Sequence, residues 1–331
     1  GNAILQIPDM SFVSWMVLFA CALVSCMVGL NISAGVRSAV NIYILIPILL
    51  VPQIMLGGAS IPFDELLNRE SGSRNVPWMA NMMPSRWGYE ALVVEQYSKN
   101  RYMRLFFEDE RLAVNSDYMI QIHLPEMRSF ADYPLLETQE TDHAFLSRRK
   151  LAALVAELKI LEEKTKIQSD LIFNLLEPAA YTLDTCILVK NYLDRVEDDF
   201  RKCHTQAAAK KSVTEKRLHK ALGISGTQKF KSAYYNENIA DLALNSKSLE
   251  AVRLSGNRLL REAAPIFQEP ESKMGGAQFL AAYKHLGAWR METFTFNLLI
   301  LGSMALLLFL ALNARLLARL MNIRKRRDRC K

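Results

Sequence analysis

Two stretches decide the fold: NIYILIPILLVPQIMLGGASIPF at residues 41–63 and VPWMANMMPSRWGYEALVVEQY at residues 76–97. Positions 38–63 contain no Asp, Glu, Lys or Arg, and about 20 predominantly apolar residues suffice to cross the hydrocarbon core of a bilayer as a helix. The second stretch cannot cross in the same way, because Pro77 and Pro84 divide it and Arg86, Glu90 and Glu95 interrupt its apolar character. It reads as re-entrant or interfacial. Irregular backbone persists at membrane depth only where protein or a watery cavity satisfies its polar groups, so a span followed by such a piece points to a translocation pathway.

Working outward, a mean hydropathy of +0.04 and 23% charged residues would describe a soluble chain. That average conceals three uncharged windows, 10–36, 38–63 and 293–314, bounded by Asp9, Arg37, Asp64, Glu292 and Arg315. Each exceeds the roughly 18 residues at which an apolar run becomes a candidate span. Charge sets the orientation. Residues 315–331 hold eight basic side chains and one acid, an excess equal to the +7 of the whole chain. Basic residues close to a span end favour the cytoplasm, so the tail is expected inside a cell membrane (plasma or inner), with the N-terminus and residues 64–292 outside. A positive-inside anchor touching membrane lipid accounts for the tail without nucleic acid as a partner. The chain opens without Met a few residues from a span, as a piece of a larger polypeptide would.

Within the windows, small residues from Ala20 to Ser33 allow close helix packing. Pro47, Pro52, Gln53 and Gly57-Gly58 kink and loosen the second span, and Gln53 needs a partner or water at mid-depth. Beyond about residue 97 the chain is polar and helical. Leu151, Leu154, Leu158, Leu161, Thr165, Gln168, Ile172 and Leu175 fall alternately three and four apart, and Cys186, Val189, Leu193, Val196, Phe200 and Cys203 repeat the spacing. With a short link at 176–178, these two heptad stripes predict an antiparallel coiled-coil hairpin over about 144–221. Cys186 and Cys203 lie too far apart along one helix to bridge each other; they are seam residues or partners for another chain. Gly223-Ile224-Ser225-Gly226 predicts a helix stop, residues 233–266 further helix, and FLAAYKHLGAW (279–289) an amphipathic run with Trp289 at the membrane interface.

No ATP, metal or nucleophile site is legible. GISGTQK lacks the glycine spacing of a phosphate loop, HExxH, CxxC and GxSxG are missing, and the five histidines are dispersed. The chain is expected to have no catalytic residues, no metal and no cofactor of its own.

The ordered residues nevertheless resemble a family. NISAGVRSAV (31–40), Gly57-Gly58, Pro77-Trp78, Pro84, Arg86-Trp87-Gly88, Glu90-Ala91-Leu92 and Glu95-Gln96-Tyr97 resemble, in order, the second half of the membrane domain of ABC-2-type permeases, specifically the G subfamily of ATP-binding-cassette exporters. RMETFTFNLLILGSMALLLFLAL (290–312) is similar to that family's sixth span. Two features depart from it: the outer segment is far longer, and Ala59-Ser60 stand where well-studied members carry a Leu-Leu plug. The resemblance implies an ATPase domain and three further spans upstream, with ATP and Mg bound there. It also implies a second permease subunit, and a hydrophobic or amphipathic substrate moving between the two. Gln53, Gly57, Gly58 and Ser60 would line the pathway, and Pro84, Arg86, Trp87 and Glu90 would form the re-entrant gate. A lipid-headgroup anchor is the alternative role for that segment, and a non-transporting scaffold or sensor is the alternative for the whole.

The expected fold is an all-α membrane protein with three transmembrane helices and a re-entrant segment. Residues 1–63 hold spans at about 11–33 and 39–61, 64–98 the gate, 99–290 an extracytoplasmic helical domain, and 291–331 the last span and tail.

Overall fold

A computed structural model describes residues 10–36, 39–59, 63, 76–135, 143–168, 181–246, 251–270 and 275–314. Two helices, α1 (Ser11–Gly35) and α9 (Thr293–Asn313), are long and apolar enough to cross a membrane. They pack on each other, and Asn31 of α1 donates from Nδ2 to the carbonyl of Leu308 at 2.9 Å. The second window forms a shorter helix than expected. Helix α2 (Ala39–Met55) has 17 residues, about 25 Å at 1.5 Å per residue against a hydrocarbon core of about 30 Å. It ends three residues after Pro52, where Leu56 and Gly57 turn and Gly58 takes φ +77°. The expectation of helix to residue 61 is corrected at Met55.

After the turn comes α3 (Pro84–Ser98), with proline at its first helical position, where a missing N–H costs nothing. It runs against both α1 and α9. Helix α4 (Phe107–Tyr118) passes through one π-turn, Met119–His123, into α5 (Leu124–Asp132). Helices α6 (His143–Thr165), α7 (Leu183–Tyr234) and α8 (Glu237–Leu244) follow. The side chains of Thr182 and Asn236 accept from the backbone N–H three residues on, capping α7 and α8.

The two heptad stripes are buried from Leu151 to Leu161 and from Cys186 to Val196, but not as a two-helix seam; Gln168 and Cys203 are exposed, and Ile172 and Leu175 lie outside the described residues. Leu151, Leu154, Leu158 and Leu161 of α6 and Cys186, Val189, Leu193 and Val196 of α7 share one core with Leu124, Met127, Phe130 and Ala131 of α5. The nearest backbone neighbours of α6 are α5 and the strand β2 (Arg258–Arg261), while those of α7 are α4 and α5. The expected coiled coil over 144–221 is therefore replaced by a multi-element core, because the amphipathic α5 covers both stripes. The link at 176–178 lies outside the described residues. The break at Gly223 is found, with φ 71° and ψ 169°, although helical turns resume after it.

Helix was also expected across 251–266 and 279–289, and here the chain forms two antiparallel hairpins. Strand β1 (Val252–Ser255) pairs with β2, and β3 (Tyr283–Leu286) with β4 (Trp289–Glu292). Each turns through two residues beginning with glycine, Gly256-Asn257 and Gly287-Ala288, a short-range hairpin signal that overrides spaced leucines. The fold is mostly helical, with these hairpins as its only strands among the described residues.

Candidate functional site

The candidate site lies where α3 meets the spans. Cys21 stands ten residues into α1, about 15 Å from its start, and its Sγ lies 4.0 Å from the carbonyl of Pro84. Ser85 Oγ donates to the carbonyl of Gln53 at 2.8 Å, which sets the end of α2 against the start of α3. Two residues on, Trp87 packs with Val24 of α1 and Phe296, Leu301 and Ala305 of α9, and its Nε1 donates to the carbonyl of Asn81 at 2.9 Å. At the other end Lys99 Nζ meets Glu292, the residue capping α9, at 2.5 Å. Helix α3 thus begins among the spans and leaves at the level where α9 begins.

Arg86 and Glu90 face the same way, as their spacing requires. Both are buried, 2% and 0% exposed, with Arg86 Nη2 3.6 Å from Glu90 Oε2. Their stronger partners come from far along the chain. Lys284 of β3, also fully buried, places Nζ 2.5 Å from Glu90 Oε2 and donates to Asn297 Oδ1 at 3.0 Å. Asn297 Nδ2 donates to Glu90 Oε2 at 2.9 Å and to the carbonyl of Trp87 at 3.0 Å, and the backbone N–H of Leu280 reaches Glu90 Oε1 at 3.3 Å. One carboxylate therefore holds together α3, α9 and the β3–β4 hairpin. Burial pulls the Lys284 ammonium down to about 8, against Glu90, which holds it up.

Two cations surround this single carboxylate, and the second is poorly satisfied. Nε and Nη1 of Arg86 are buried without a hydrogen-bond partner. Its guanidinium carbon instead lies 3.9 Å from the Trp87 ring centre and 5.9 Å from that of Phe279, within cation–π range. Arg86 is held by ring faces and one long contact.

Of the other sequence-derived residues, Gln53 contributes its carbonyl, and Gly57 lies beside Ser85, where an added Cβ would stand 3.3 Å from Oγ. Gly58 is pressed against Phe279 and Phe63: a Cβ there would come within 2.5 Å of Phe279 and 2.9 Å of Phe63. Ser60 lies outside the described residues. Trp87 is buried, whereas Trp78 and Trp289 are exposed. Lys284 and Asn297 were missed by sequence reasoning. A signal existed for Asn297, since an amide inside an apolar span needs a partner; Lys284 sat in a stretch read as an amphipathic run. Beside the cluster, Glu95, Lys99, Arg104, Glu108, Tyr283 and Glu292 line a small pocket. Burial, with Glu292 nearby, pushes the Glu95 carboxyl up to about 7 despite Lys99.

A mostly helical chain with two helices long and apolar enough to cross a membrane is consistent with an all-α membrane protein. Residues 5–97 match the model of the ABC-2 type transporter family, which supports an ABC-2 permease and a membrane location. The matched region contains α1, α2, Arg86 and Glu90 and ends at Tyr97; Lys284 and Asn297 lie beyond it. No curated protein and no solved structure matches the chain.

Proposed function

We propose that this chain is the permease part of an ATP-driven exporter of the G-subfamily type. It would work with an ATP-binding cassette that binds ATP and Mg, and with a second permease subunit. A hydrophobic or amphipathic substrate would pass between the subunits along Gln53, Gly57, Gly58 and Ser60. Helix α3, with Pro84, Arg86, Trp87 and Glu90, is the gate; residues 64–292 lie outside and the basic tail inside. The observation that carries this reading is the course of α3, which starts beside Cys21 and ends beside Glu292. A headgroup anchor would expose Arg86 and Trp87; both are buried.

Arg86 supplies the test, because a buried cation with orphaned N–H groups contributes little to folding and is available to a changing partner. The native assembly, purified through a tag on this chain and placed in nanodiscs, is expected to hydrolyse ATP in a vanadate-sensitive manner. Arg86→Met is expected to lower that turnover at least tenfold with yield and insertion unchanged. An assembly with no ATP-hydrolysing domain or subunit would refute the exporter in favour of a scaffold or sensor. External thiol labelling of Glu163→Cys, with protection of Asn322→Cys, is the expected topology.

A further inference from the structure

We infer that the tip of the α7 hairpin, residues 216–229, is a docking surface for the anionic lipid headgroups of the membrane that holds α1 and α9. The inference rests on reading those helices as spans.

The tip's position follows from its neighbours. Helix α7 starts in the core shared with α5 and α6, which contains no residue of α1, α3 or α9. Lys211 then pairs with Glu110 of α4, and Lys211 and Glu215 both act electrostatically on the hydroxyl of Tyr102. Tyr102 lies four residues beyond the end of α3 and three beyond Lys99, which pairs with Glu292 at the start of α9. So α7 runs from the core remote from the spans toward the level where the spans begin.

The chain then returns to the same ring. Phe230 lies 6.2 Å from Tyr102, Lys231 Nζ is 5.9 Å from its centroid, and the hydroxyl of Tyr234 accepts from Arg101 Nη1 at 3.1 Å. A straight helix would carry residues 215 and 230 about 22 Å apart, so both cannot flank one tyrosine. The reversal occurs at Gly223, whose backbone leaves helical geometry, and the buried Thr227 Oγ1 fastens it by donating to the Gly223 carbonyl at 2.9 Å. Each leg of the resulting hairpin extends about 10 Å past Tyr102, on the side of the spans.

Its chemistry is that of a membrane surface. Between 210 and 231 there are seven Lys or Arg and one acid, Glu215, which lies against His219. Lys216, Arg217, Lys220 and Lys229 are exposed, and between them Leu222 and Ile224 stand 46% and 71% exposed at the turn. Exposed aliphatic residues ringed by cations favour insertion between anionic headgroups, with the cations at the phosphate level and the apolar tip just below it. An acidic protein partner would match the charge but would leave unexplained both the exposed aliphatics and the direction of α7.

The test uses the full chain with its five native cysteines replaced by alanine and one cysteine at Ile224→Cys carrying an NBD fluorophore. In nanodiscs of equal phosphatidylcholine and phosphatidylglycerol, the emission is expected to be blue-shifted and brighter than in phosphatidylcholine alone. The shift should vanish in about 1 M salt, where the screening length falls to ~3 Å. It should also vanish when Lys216, Arg217, Lys220 and Lys229 are all changed to Glu. Identical emission in both lipids overturns the inference, as does a shift that survives both salt and charge reversal. A response to added polyglutamate, where lipid gives none, replaces it with an acidic protein partner. A chain that does not enter nanodiscs overturns the reading of the spans as well; one that enters with a silent probe overturns the inference alone. Should the charge-reversed variant misfold, the lipid and salt comparisons still decide.

Discussion

Lys284→Met removes the shortest ion pair in the buried cluster, and its effect on stability can be worked from the contacts. Glu90 would lose its 2.5 Å cation and keep the 3.6 Å approach of Arg86 as its sole counter-charge beside the hydrogen bonds from Asn297 Nδ2 and the Leu280 N–H, while Asn297 Oδ1 would lose its donor. Deleting one member of a buried, hydrogen-bonded charge pair costs about 3–5 kcal/mol, because the survivor stays desolvated. That is a large part of the ~5–15 kcal/mol that holds a typical domain together. Arg86→Met should behave differently. It removes a charge with two unsatisfied N–H groups and leaves the Lys284–Glu90–Asn297 set intact, so the loss of its ring contacts, ~1 kcal/mol, is offset by relief of desolvation and of repulsion from Lys284. Glu90→Gln, which leaves two buried cations and no anion, is expected to be the worst of the three. Unfolding by SDS in mixed micelles, followed by tryptophan fluorescence, reads this directly, because Trp87 lies against the cluster. If Arg86→Met proves as destabilising as Lys284→Met, or if Lys284→Met is silent, the assignment of Lys284 as the main counter-ion is refuted.

Other expectations follow from the same structure. Gly88→Ala puts a Cβ 2.7 Å from Cys21 Sγ and 3.4 Å from Val17 and should cost about 1–3 kcal/mol by overpacking; Cys21→Ala in the same chain should restore the loss, and failure to do so would place the strain elsewhere. Glu95 has a folded-state pKa near 7, above its ordinary 4.5, so its contribution is fully present below pH 4.5 and is lost as pH rises through 7. Glu95→Gln should therefore flatten thermal stability between pH 5 and 8, and an unchanged pH profile would count against a buried carboxyl there. Leu158→Asp and Leu193→Asp, both in fully buried positions, should each open the core shared by α5, α6 and α7 to limited proteolysis, since an unpaired buried carboxylate costs several kcal/mol; the exposed Glu163→Ala should not, and equal proteolysis of all three would contradict the shared core.

What the sequence made legible was local. Long uncharged windows marked α1 and α9, Pro84 marked the start of α3, and the i,i+4 spacing put Arg86 beside Glu90. The three–four stripes of α6 and α7 named buried residues from Leu151 to Leu161 and from Cys186 to Val196, ran on to Gln168 and Cys203, which are exposed, and did not name their partner, because α5 is too short for periodicity to reveal that it covers both. The hairpins were missed because Leu249, Val252, Leu259 and Leu260 can be fitted to a helical face, whereas the Gly-Asn and Gly-Ala turns that govern the backbone occupy only two residues each. Lys284 was beyond reach for another reason, and Asn297 was legible only as an amide in need of some partner: both meet Glu90 through tertiary closure, and no local pattern encodes a partner so distant.

That distance sets the order of events during synthesis. Glu90 and Lys284 are 194 residues apart, and at ~5–20 residues per second a ribosome takes on the order of 10–40 s to travel between them. For that interval Glu90 has neither its ammonium nor the amide of Asn297, so α3 cannot settle among the spans without an uncompensated carboxylate. The core shared by α5, α6 and α7 has time to form first, and the seat of α3 is closed from the C-terminal end, when β3 and α9 arrive together. A chain truncated before Lys284 would make α1, α2 and α3 in full and still leave the last of them without a seat.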